Sequence, residues 1–239
     1  MMKFDIITIF PEAFTSYLNT SILKRAQEKR LIDIHIHNLR NFAGDERRTV
    51  DGRPYGGGPG MVLKIEPIAR AIGSILRNSK PEILNSKQIQ NTKLKKRTKI
   101  ILFSAAGKQF DQKMARDLSK NYDRIVMIAG HYEGIDERIK KIISDFGFRI
   151  SDLSVGPYVL TGGELPVMVV VDATSRHVAG VLGKEQSLEE NRLGIGVPAY
   201  TRPENFIWRR KNYRVPKVLL SGDHAKIAVW RRKHKRQSD

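Results

Sequence analysis

A glycine-rich, apolar stretch at residues 154–166 carries the pattern best suited to holding a small ligand. It reads S-V-G-P-Y-V-L-T-G-G-E-L-P and follows a second glycine-containing stretch, A-G-H-Y-E-G-I-D-E-R, at residues 129–138. Glycine lets the backbone approach a ligand closely, and the tyrosine, valine and leucine between the glycines would supply apolar walls. The pattern indicates a pocket for a flat, partly apolar ligand. Ordinary turns after two strands are the alternative interpretation.

The residue types exclude several kinds of chemistry. The chain has no cysteine, which rules out disulfides, thiolate metal sites and methyl transfer through a cysteine nucleophile. The glycine-rich loop at residues 42–62 lacks the lysine and hydroxyl residue of a P-loop, which argues against a nucleoside triphosphatase. His35 and His37 form an H-x-H pair without a third ligand, so we predict a polar strand face there and no metal site.

Positive charge is concentrated in two segments of the chain. The formal net charge is +18, and residues 200–239 hold 12 Lys or Arg against 3 Asp or Glu. Residues 80–99 hold 7 basic residues against 1 acidic residue. Concentrated positive charge is typical of proteins that bind a polyanion, because each neutralised phosphate releases counterions. The charge pattern favours a nucleic-acid partner over a merely solvated basic surface.

Short apolar runs separated by helical patterns predict a parallel α/β sheet. Residues 3–10, 99–103 and 124–129 are expected to form buried strands, since each is almost entirely apolar. Turns at residues 104–107, 130–134 and 154–163 would follow strands and meet at their carboxyl ends, where such sheets bind ligands. A helix is expected over residues 162–179, with Pro166 in its first turn and Gly180 as its stop.

Further patterns predict the remaining elements. Ser21 and Asp111 are expected to cap helices, and residues 65–76 show the spacing of a surface helix. Residues 78–98 are polar and basic, so a loop is expected there. The last forty residues are expected to form a small helical unit whose final helix is capped by Ser221 or Asp223.

The sequence also predicts where the protein works. The longest aliphatic run, Val167 to Val171, is far too short to span a bilayer, so no membrane partner is expected. The first ten residues lack a cleavage-like site of small residues. A cytoplasmic protein is therefore predicted.

Five motifs together resemble one family closely, the bacterial tRNA (guanine-N1)-methyltransferases of the SPOUT superfamily. They are the two stretches described first together with R-P-Y-G-G-G-P-G-M at residues 53–61, Y-T-R-P at residues 200–203 and V-L-L-S-G-D-H at residues 218–224. They follow the family's order and extend over most of the chain. The resemblance implies an α/β fold with a parallel sheet, a trefoil knot on its C-terminal side and a small helical C-terminal domain.

The resemblance also implies a domain arrangement and a cofactor. Residues 1–182 would form the methyltransferase domain, residues 183–199 a linker, and residues 200–239 a small basic tRNA-binding domain. S-adenosylmethionine would lie in the knot, and a magnesium requirement stays open. Capping of a helix at residues 135–143 is the alternative role for Glu133 and Asp136. The residues implied to hold the cofactor are Ser104, Ala105, Gly107, Gly130, Tyr132, Glu133, Ser154, Val155, Gly156, Pro157, Tyr158, Val159, Leu160, Gly162 and Gly163.

Methylation of guanine at N1 requires two catalytic groups, a base beside N1 and a cation beside O6. By resemblance Arg176 would supply the cation; a solvent-facing arginine at a helix end is the alternative. The family commonly has an aspartate eight residues after the glycine matching Gly183, and that count leads to Asn191. An amide cannot accept the proton, so Glu190 is the predicted base if the shorter linker contains a one-residue gap. Glu189 is the second candidate for the base. The alternative interpretation is that these acidic residues only belong to a solvated linker.

Other implied properties concern partners and departures from the family pattern. The resemblance implies a homodimer with the active site at the subunit interface, acting on the guanine at tRNA position 37, next to the anticodon. His131 stands where arginine is common, Ala105 where proline is common and Pro157 where aspartate is common. The chain stops soon after Trp230, where relatives continue, which bears on tRNA affinity. The rival hypothesis is a non-catalytic basic module that binds RNA or the ribosome.

Overall fold

The computed structural model describes residues 1–77, 97–148, 150–183 and 196–234. Contacts divide the chain into two compact units, Met1–Leu182 and Gly183–Asp239. The larger unit contains a sheet of five strands, and the smaller unit contains a hairpin and two helices. Each unit is described separately below.

The central sheet is entirely parallel, as the sequence predicts. The strands of the larger unit are β1 (Met2–Thr8), β2 (Ile32–Asn38), β3 (Asp51–Gly52), β4 (Val62–Leu63), β5 (Thr98–Gln109), β6 (Arg124–Ile128) and β7 (Ile150–Ser154). The order in the central sheet is β2-β1-β6-β5-β7, and every neighbouring pair in this sheet is parallel. The predicted apolar runs form three of these strands because their side chains are buried on both faces of the sheet.

Helices cover both faces of the sheet and enclose two apolar cores. One core contains Phe4, Leu118 and Val167, and the other contains Ile7, Ile72 and Ile139. Alternate residues of a strand point to opposite faces, so β1 contributes to both cores. Two 3-10 helices lie at Pro11–Phe14 and Leu39–Phe42, and the α-helices are α1 (Thr15–Leu18), α2 (Ser21–Glu28), α3 (Ile65–Arg77), α4 (Gln112–Asn121), α5 (Arg138–Asp145) and α6 (Glu164–Ser175).

The structure confirms one predicted helix cap and corrects another. The side chain of Asp111 accepts a hydrogen bond from Met114 N at 2.7 Å, as expected of the residue before α4. Ser21 is not a cap, because it is the first residue of α2 and Thr20 occupies the capping position without a side-chain bond. The predicted helix over residues 162–179 is shorter at both ends, since α6 begins at Glu164 and ends at Ser175.

The predicted turn at residues 104–107 lies inside β5. This strand pairs with β7 up to Phe103 and again from Lys108, with a shift of register between them. The intervening residues therefore leave the ladder without ending the strand. Of the loop predicted at residues 78–98, residues 78–96 lie outside the described residues, and Thr98 begins β5. Among the described helices, none is long and apolar enough to cross a membrane.

The smaller unit departs from the all-helical prediction. Among its described residues, an antiparallel hairpin of β8 (Asn205–Trp208) and β9 (Lys211–Arg214) is followed by α7 (Lys217–Leu220) and α8 (His224–Lys233). Asp223 is the cap of α8, since its side chain accepts from Ala225 N at 3.1 Å and Lys226 N at 3.0 Å. Ser221 instead accepts from Asp223 N at 3.2 Å. The hairpin was missed because its two-residue turn contains arginines in place of glycine or asparagine.

A buried ion cluster joins three strands of the sheet. The Asp5 side chain is 3% exposed and lies 2.7 Å from Arg124 Nε and 2.8 Å from His37 Nε2. Burial alone would raise the pKa of Asp5, but the hydrogen bond to His37 and the charge of Arg124 outweigh it and lower that pKa. His37 thus contacts a buried carboxylate and does not lie on a purely solvated face. The cluster links β1, β2 and β6 diagonally across the sheet, because Arg124 is opposite Lys3 and His37 is opposite Ile7.

Asp5→Asn is expected to lower the free energy of unfolding by about 2 kcal/mol at pH 7, because Arg124 loses a buried charged partner. A carboxylate whose pKa is lowered by folding stabilises the protein fully at pH values above its ordinary pKa of 3.8. That stability is lost as the pH falls through the lowered pKa. Urea unfolding of the wild type should therefore show a decline below about pH 4 that is smaller in the variant. Asp123→Asn, at an exposed pair with Arg97, is the control and should change stability by less than about 1 kcal/mol. Equal effects of the two substitutions would contradict the prediction.

Candidate active site

A cavity of about 400 Å³ lies at the carboxyl ends of β5, β6 and β7. This volume falls within the range of small-molecule sites, and the position is the one that open parallel sheets use for ligands. Three segments converge there: the irregular part of β5, the loop after β6 and the loop between β7 and α6. Val62 of β4 completes the lining. The sequence predicted this convergence.

Nearly all residues predicted to hold a cofactor line this cavity, with Gly107 and Pro157 as the exceptions. Gly107 has a different role. A Cβ added there would lie 2.7 Å from backbone atoms of Asp152 and Leu153, so glycine allows β5 to cross close to β7. The predicted residues in the lining are Ser104, Ala105, Gly130, Tyr132, Glu133, Ser154, Val155, Gly156, Tyr158, Val159, Leu160, Gly162 and Gly163.

The loop after β6 is held against β4 by backbone hydrogen bonds. Glu133 N donates to Met61 O at 3.0 Å, and Leu63 N donates to Gly134 O at 3.0 Å. Tyr132 has a φ of +58°, a conformation that is uncommon outside glycine and that places strain at the edge of the cavity. The fixed backbone therefore presents Tyr132 and Glu133 to the cavity from a defined position.

The loop after β7 forms the apolar wall of the cavity. Ser154 Oγ donates to Gly156 O at 2.8 Å, so this hydroxyl stabilises the turn. Tyr158 and Val159 are exposed by 54% and 86%, which leaves large apolar surfaces open at the rim. Leu160 lies beside them and also lines the cavity. This wall suits a flat, partly apolar group.

Gly163 joins the last two segments. Its N–H donates to Gly130 O at 2.7 Å. A Cβ added to Gly163 would lie 2.7 Å from both Ala129 Cα and Gly130 N, so no larger residue fits without a backbone shift. The requirement is for space, because its φ of −84° is accessible to any residue.

Three polar side chains near the cavity were not singled out by the sequence. Glu164 Oε1 accepts a hydrogen bond from Thr8 Oγ1 at 3.0 Å, although the two residues are 156 positions apart. The other carboxylate oxygen lies 4.0 Å from His131 Nδ1, which is buried and has no hydrogen-bond partner among the described residues. The position of Glu164 in the first turn of α6, where acidic residues are favoured, was the available signal.

Helix capping was the alternative role for Glu133 and Asp136, but Glu137 occupies the capping position of α5 without a side-chain bond. Asp136 Oδ1 accepts from Arg138 N at 3.0 Å at the start of α5, and the hydrogen bond from the Arg138 side chain lowers the pKa of Asp136. Glu133 lines the cavity instead. Over residues 1–77, 97–148, 150–183 and 196–234, no group of three His, Asp or Glu side chains could hold a metal ion.

Arg176, the predicted cation, does not line this cavity. Arg176 follows the last residue of α6, and its N–H donates to Asp172 O at 3.2 Å. It lies about 18 Å along the helix from Glu164, since an α-helix rises about 1.5 Å per residue. Glu189, Glu190 and Asn191 lie outside the described residues.

The fold and the cavity define a parallel α/β protein with a cavity at the carboxyl ends of its strands. Residues 2–238 match the family described as tRNA (Guanine-1)-methyltransferase TrmD. A tRNA (guanine-N(1)-)-methyltransferase of Carboxydothermus hydrogenoformans is 45% identical over 97% of this chain and 82% of its own length. The corresponding protein of Dictyoglomus turgidum is 45% identical over 98% of this chain and 84% of its own. That of Thermomicrobium roseum is 47% identical over 97% of this chain and 78% of its own.

The chain belongs to the tRNA (guanine-N1)-methyltransferase family, and it is an enzyme of that family. The family that the motifs indicate is therefore confirmed. The mixed α/β architecture with a parallel sheet is confirmed as well. The rival hypothesis of a non-catalytic RNA-binding module is not supported by this membership.

Proposed function

We propose that this enzyme transfers a methyl group from S-adenosylmethionine to N1 of the guanine at tRNA position 37, next to the anticodon. The observation that carries the proposal is the cavity at the carboxyl ends of β5, β6 and β7, in a chain of this family. A binder that relied on charge alone would not need this cavity. A base in a loop is also cheaper to extrude from its stack than a base in a duplex, which suits an enclosed site.

The residues of the cavity fit S-adenosylmethionine chemically. The wall of Tyr158, Val159 and Leu160 would take the flat adenine, and the backbone at Ser104, Gly130 and Gly156 would offer hydrogen-bonding groups to adenine and ribose. When bound, this group supplies an electrophilic methyl on a sulfonium. Glu133 and Tyr132 would hold the polar end from the opposite side of the cavity. The other cavity residues that the motif resemblance implies would complete the binding surface for this group.

The chain's own residues would manage the proton and the charge on guanine. N1 carries a proton that must leave as its lone pair attacks the methyl group, and negative charge then develops on O6. We assign the proton to Glu190, with Glu189 in reserve and Asn191 as the residue at the family's usual position. We assign the developing charge on O6 to Arg176, since a guanidinium remains charged throughout the reaction.

A homodimer explains why Arg176 lies far from the cavity of its own chain. The distance of about 18 Å along α6 exceeds what one side chain can reach. In a two-fold dimer with antiparallel contacts, the partner subunit's Arg176 could approach the cavity, so that each active site combines two chains. The linker of residues 183–199 would close over the partner's cavity in the same way.

The remaining parts of the proposal follow from the family. The region around β5, β7 and α6 would form the trefoil knot, and residues 200–239 would bind tRNA with their excess of positive charge. If the reaction requires magnesium, the ion would bind without a preformed group of three protein ligands among the described residues. A tRNA-modifying enzyme of this kind is expected in the cytoplasm.

Transfer of labelled methyl to a tRNA transcript with guanine at position 37 is the direct test, beside the same transcript with adenine there. We expect label in the guanine transcript alone, because the base and cation are matched to guanine N1 and O6. Calorimetric titration with S-adenosylmethionine gives an independent measure of donor binding. Donor binding without label in either transcript would contradict the assigned base or position. Tight tRNA binding with neither donor binding nor transfer would favour the non-catalytic module.

A further inference from the structure

The hairpin of β8 and β9 presents an unusual surface in the smaller unit. The register pairs Phe206 with Tyr213 and Trp208 with Lys211. Alternation along a strand places all four side chains on one face, which we call the aromatic face. Its three rings are exposed by 52% (Phe206), 56% (Trp208) and 53% (Tyr213). Apolar surface of this size is costly to leave in water unless something covers it.

Two rings of the aromatic face lie nearly parallel to each other. Phe206 and Trp208 have 13° between their planes and 6.3 Å between their centroids. Neighbouring exposed rings on a sheet are the groups on which proteins stack unpaired nucleotide bases. Cross-strand aromatic contacts also stabilise a hairpin, but that role does not account for the ring surface that stays exposed to solvent.

The hairpin carries positive charge at its turn and on the aromatic face. Residues 205–214 contain three arginines and one lysine and no acidic residue; Lys211 lies on the aromatic face, and Arg214 lies on the opposite face. Arg209 and Arg210 form the turn, both with positive φ, and the Arg209 guanidinium lies 6.0 Å from the Trp208 ring. Asparagine or glycine would adopt this turn at lower conformational cost, so the sequence places two guanidinium groups at the tip against local preference. Such groups suit phosphates that follow a stacked base.

The charge also selects between two possible occupants. A second copy of the chain docking the same face on itself would bring two basic hairpins without acidic residues together, and like charges repel. RNA offers both complementary features, the π-faces of bases and a negative backbone. We propose that the aromatic face of this hairpin stacks on unpaired bases of the tRNA substrate, with the turn arginines on the adjoining phosphates. This inference rests on the proposed function, since it adds a contact for the same substrate.

Substitution of Trp208 in the full chain tests the proposal by tRNA affinity at fixed salt. Trp208→Ala is expected to raise the Kd for tRNA about 5- to 150-fold, the range for one lost base stack. Trp208→Phe, which keeps a ring, should stay within about threefold of the wild type. Ile207→Ala is the matched control: Ile207 is 70% exposed on the opposite face of the same strand, and its loss should leave the Kd unchanged.

Two further readouts separate stacking from a structural effect. In Trp230→Phe, Trp208 is the sole tryptophan, and its fluorescence should be quenched when tRNA binds. The double variant Arg209→Ala/Arg210→Ala should reduce the slope of log Kd against log salt by about 1.4, for two phosphate contacts to a single strand. In steady-state assays, Trp208→Ala should raise KM for tRNA and leave kcat unchanged, because a stacked base is bound equally in the ground state and in the transition state.

The outcomes that overturn the inference differ from those that overturn the proposed function. Equal Kd values for Trp208→Ala and Ile207→Ala, with methyl transfer intact, would refute the hairpin contact and leave the enzyme's activity standing. So would a loss of dimer in sedimentation of Trp208→Ala with unchanged tRNA affinity, which would assign the face to a second copy. Weakened tRNA binding by Trp208→Ala in a wild type that transfers no methyl group would support the hairpin contact and refute the proposed activity.

Discussion

Arg176→Ala is expected to lower kcat about 100- to 1000-fold, the usual loss when one donor to a developing oxyanion is removed. The affinities for tRNA and for the methyl donor should change little, because the guanidinium acts on charge that exists only in the transition state. Arg176→Lys should recover part of the rate, since it restores the charge without the planar fork. Single-turnover rates, measured together with Kd for tRNA and for the methyl donor, separate the effect on the chemical step from any effect on binding.

A mixing experiment shows which chain supplies the arginine. Gly156→Val should abolish donor binding, since its side chain would occupy the space of the Tyr158 ring at the cavity. If Arg176 acts on the partner's cavity, equal mixing of Arg176→Ala with Gly156→Val should restore about a quarter of wild-type activity, from one intact site in each mixed dimer. Action within one chain predicts no recovery, and that result would contradict the dimer proposed here.

Glu190 is the proposed general base that acts with Arg176, and its loss should change the pH dependence of the rate. Glu190→Gln should lower kcat by about 100-fold or more, the contribution typical of a general base, and should flatten the acidic limb of the rate profile. The matched controls are Glu189→Gln and Asn191→Asp. An unchanged rate for Glu190→Gln together with a loss in Glu189→Gln would move the role of base to Glu189.

Gly163→Ala is expected to lower the free energy of unfolding by about 3 kcal/mol and to weaken donor binding about 100-fold. The added methyl group would lie 2.7 Å from Ala129 Cα and Gly130 N. Both atoms belong to the backbone, so no rotamer change relieves the contact. The hydrogen bond from Gly163 N to Gly130 O, at 2.7 Å, would be broken or stretched, and the cavity would lose its shape.

Two glycines give matched controls for this prediction in urea unfolding. A Cβ at Gly130 would meet only the Ile135 side chain, at 3.5 Å, so Gly130→Ala should cost far less stability. Gly73 lies inside α3 with its nearest neighbour at 3.9 Å, and Gly73→Ala should raise the free energy of unfolding by up to about 1 kcal/mol. If Gly163→Ala were as stable as Gly130→Ala, close backbone packing would not be the reason for glycine at position 163.

Local patterns were sufficient for elements whose residues contact sequence neighbours. The strand over β6 and the cap of α4 depend on side chains within a few positions of one another, so their types can be read from composition and spacing. The hairpin of the smaller unit escaped prediction because its turn lacks the usual glycine or asparagine. The end of α6 was placed too late because Arg176 and the residues after it form turns, which periodicity does not distinguish from helix.

The sequence by itself determined the class of fold and the three segments that line the cavity, because glycine and apolar runs express local requirements of the backbone and solvent. The family followed separately, from the resemblance of five motifs. Only the tertiary structure decided that Thr8 and Glu164 meet across 156 positions, and that Gly107 and Gly163 serve backbone crossings. It also decided that Arg176 lies at the far end of α6 from the cavity. These features depend on the packing of distant segments, which is set by the order of strands in the sheet and leaves no periodic signal in the chain.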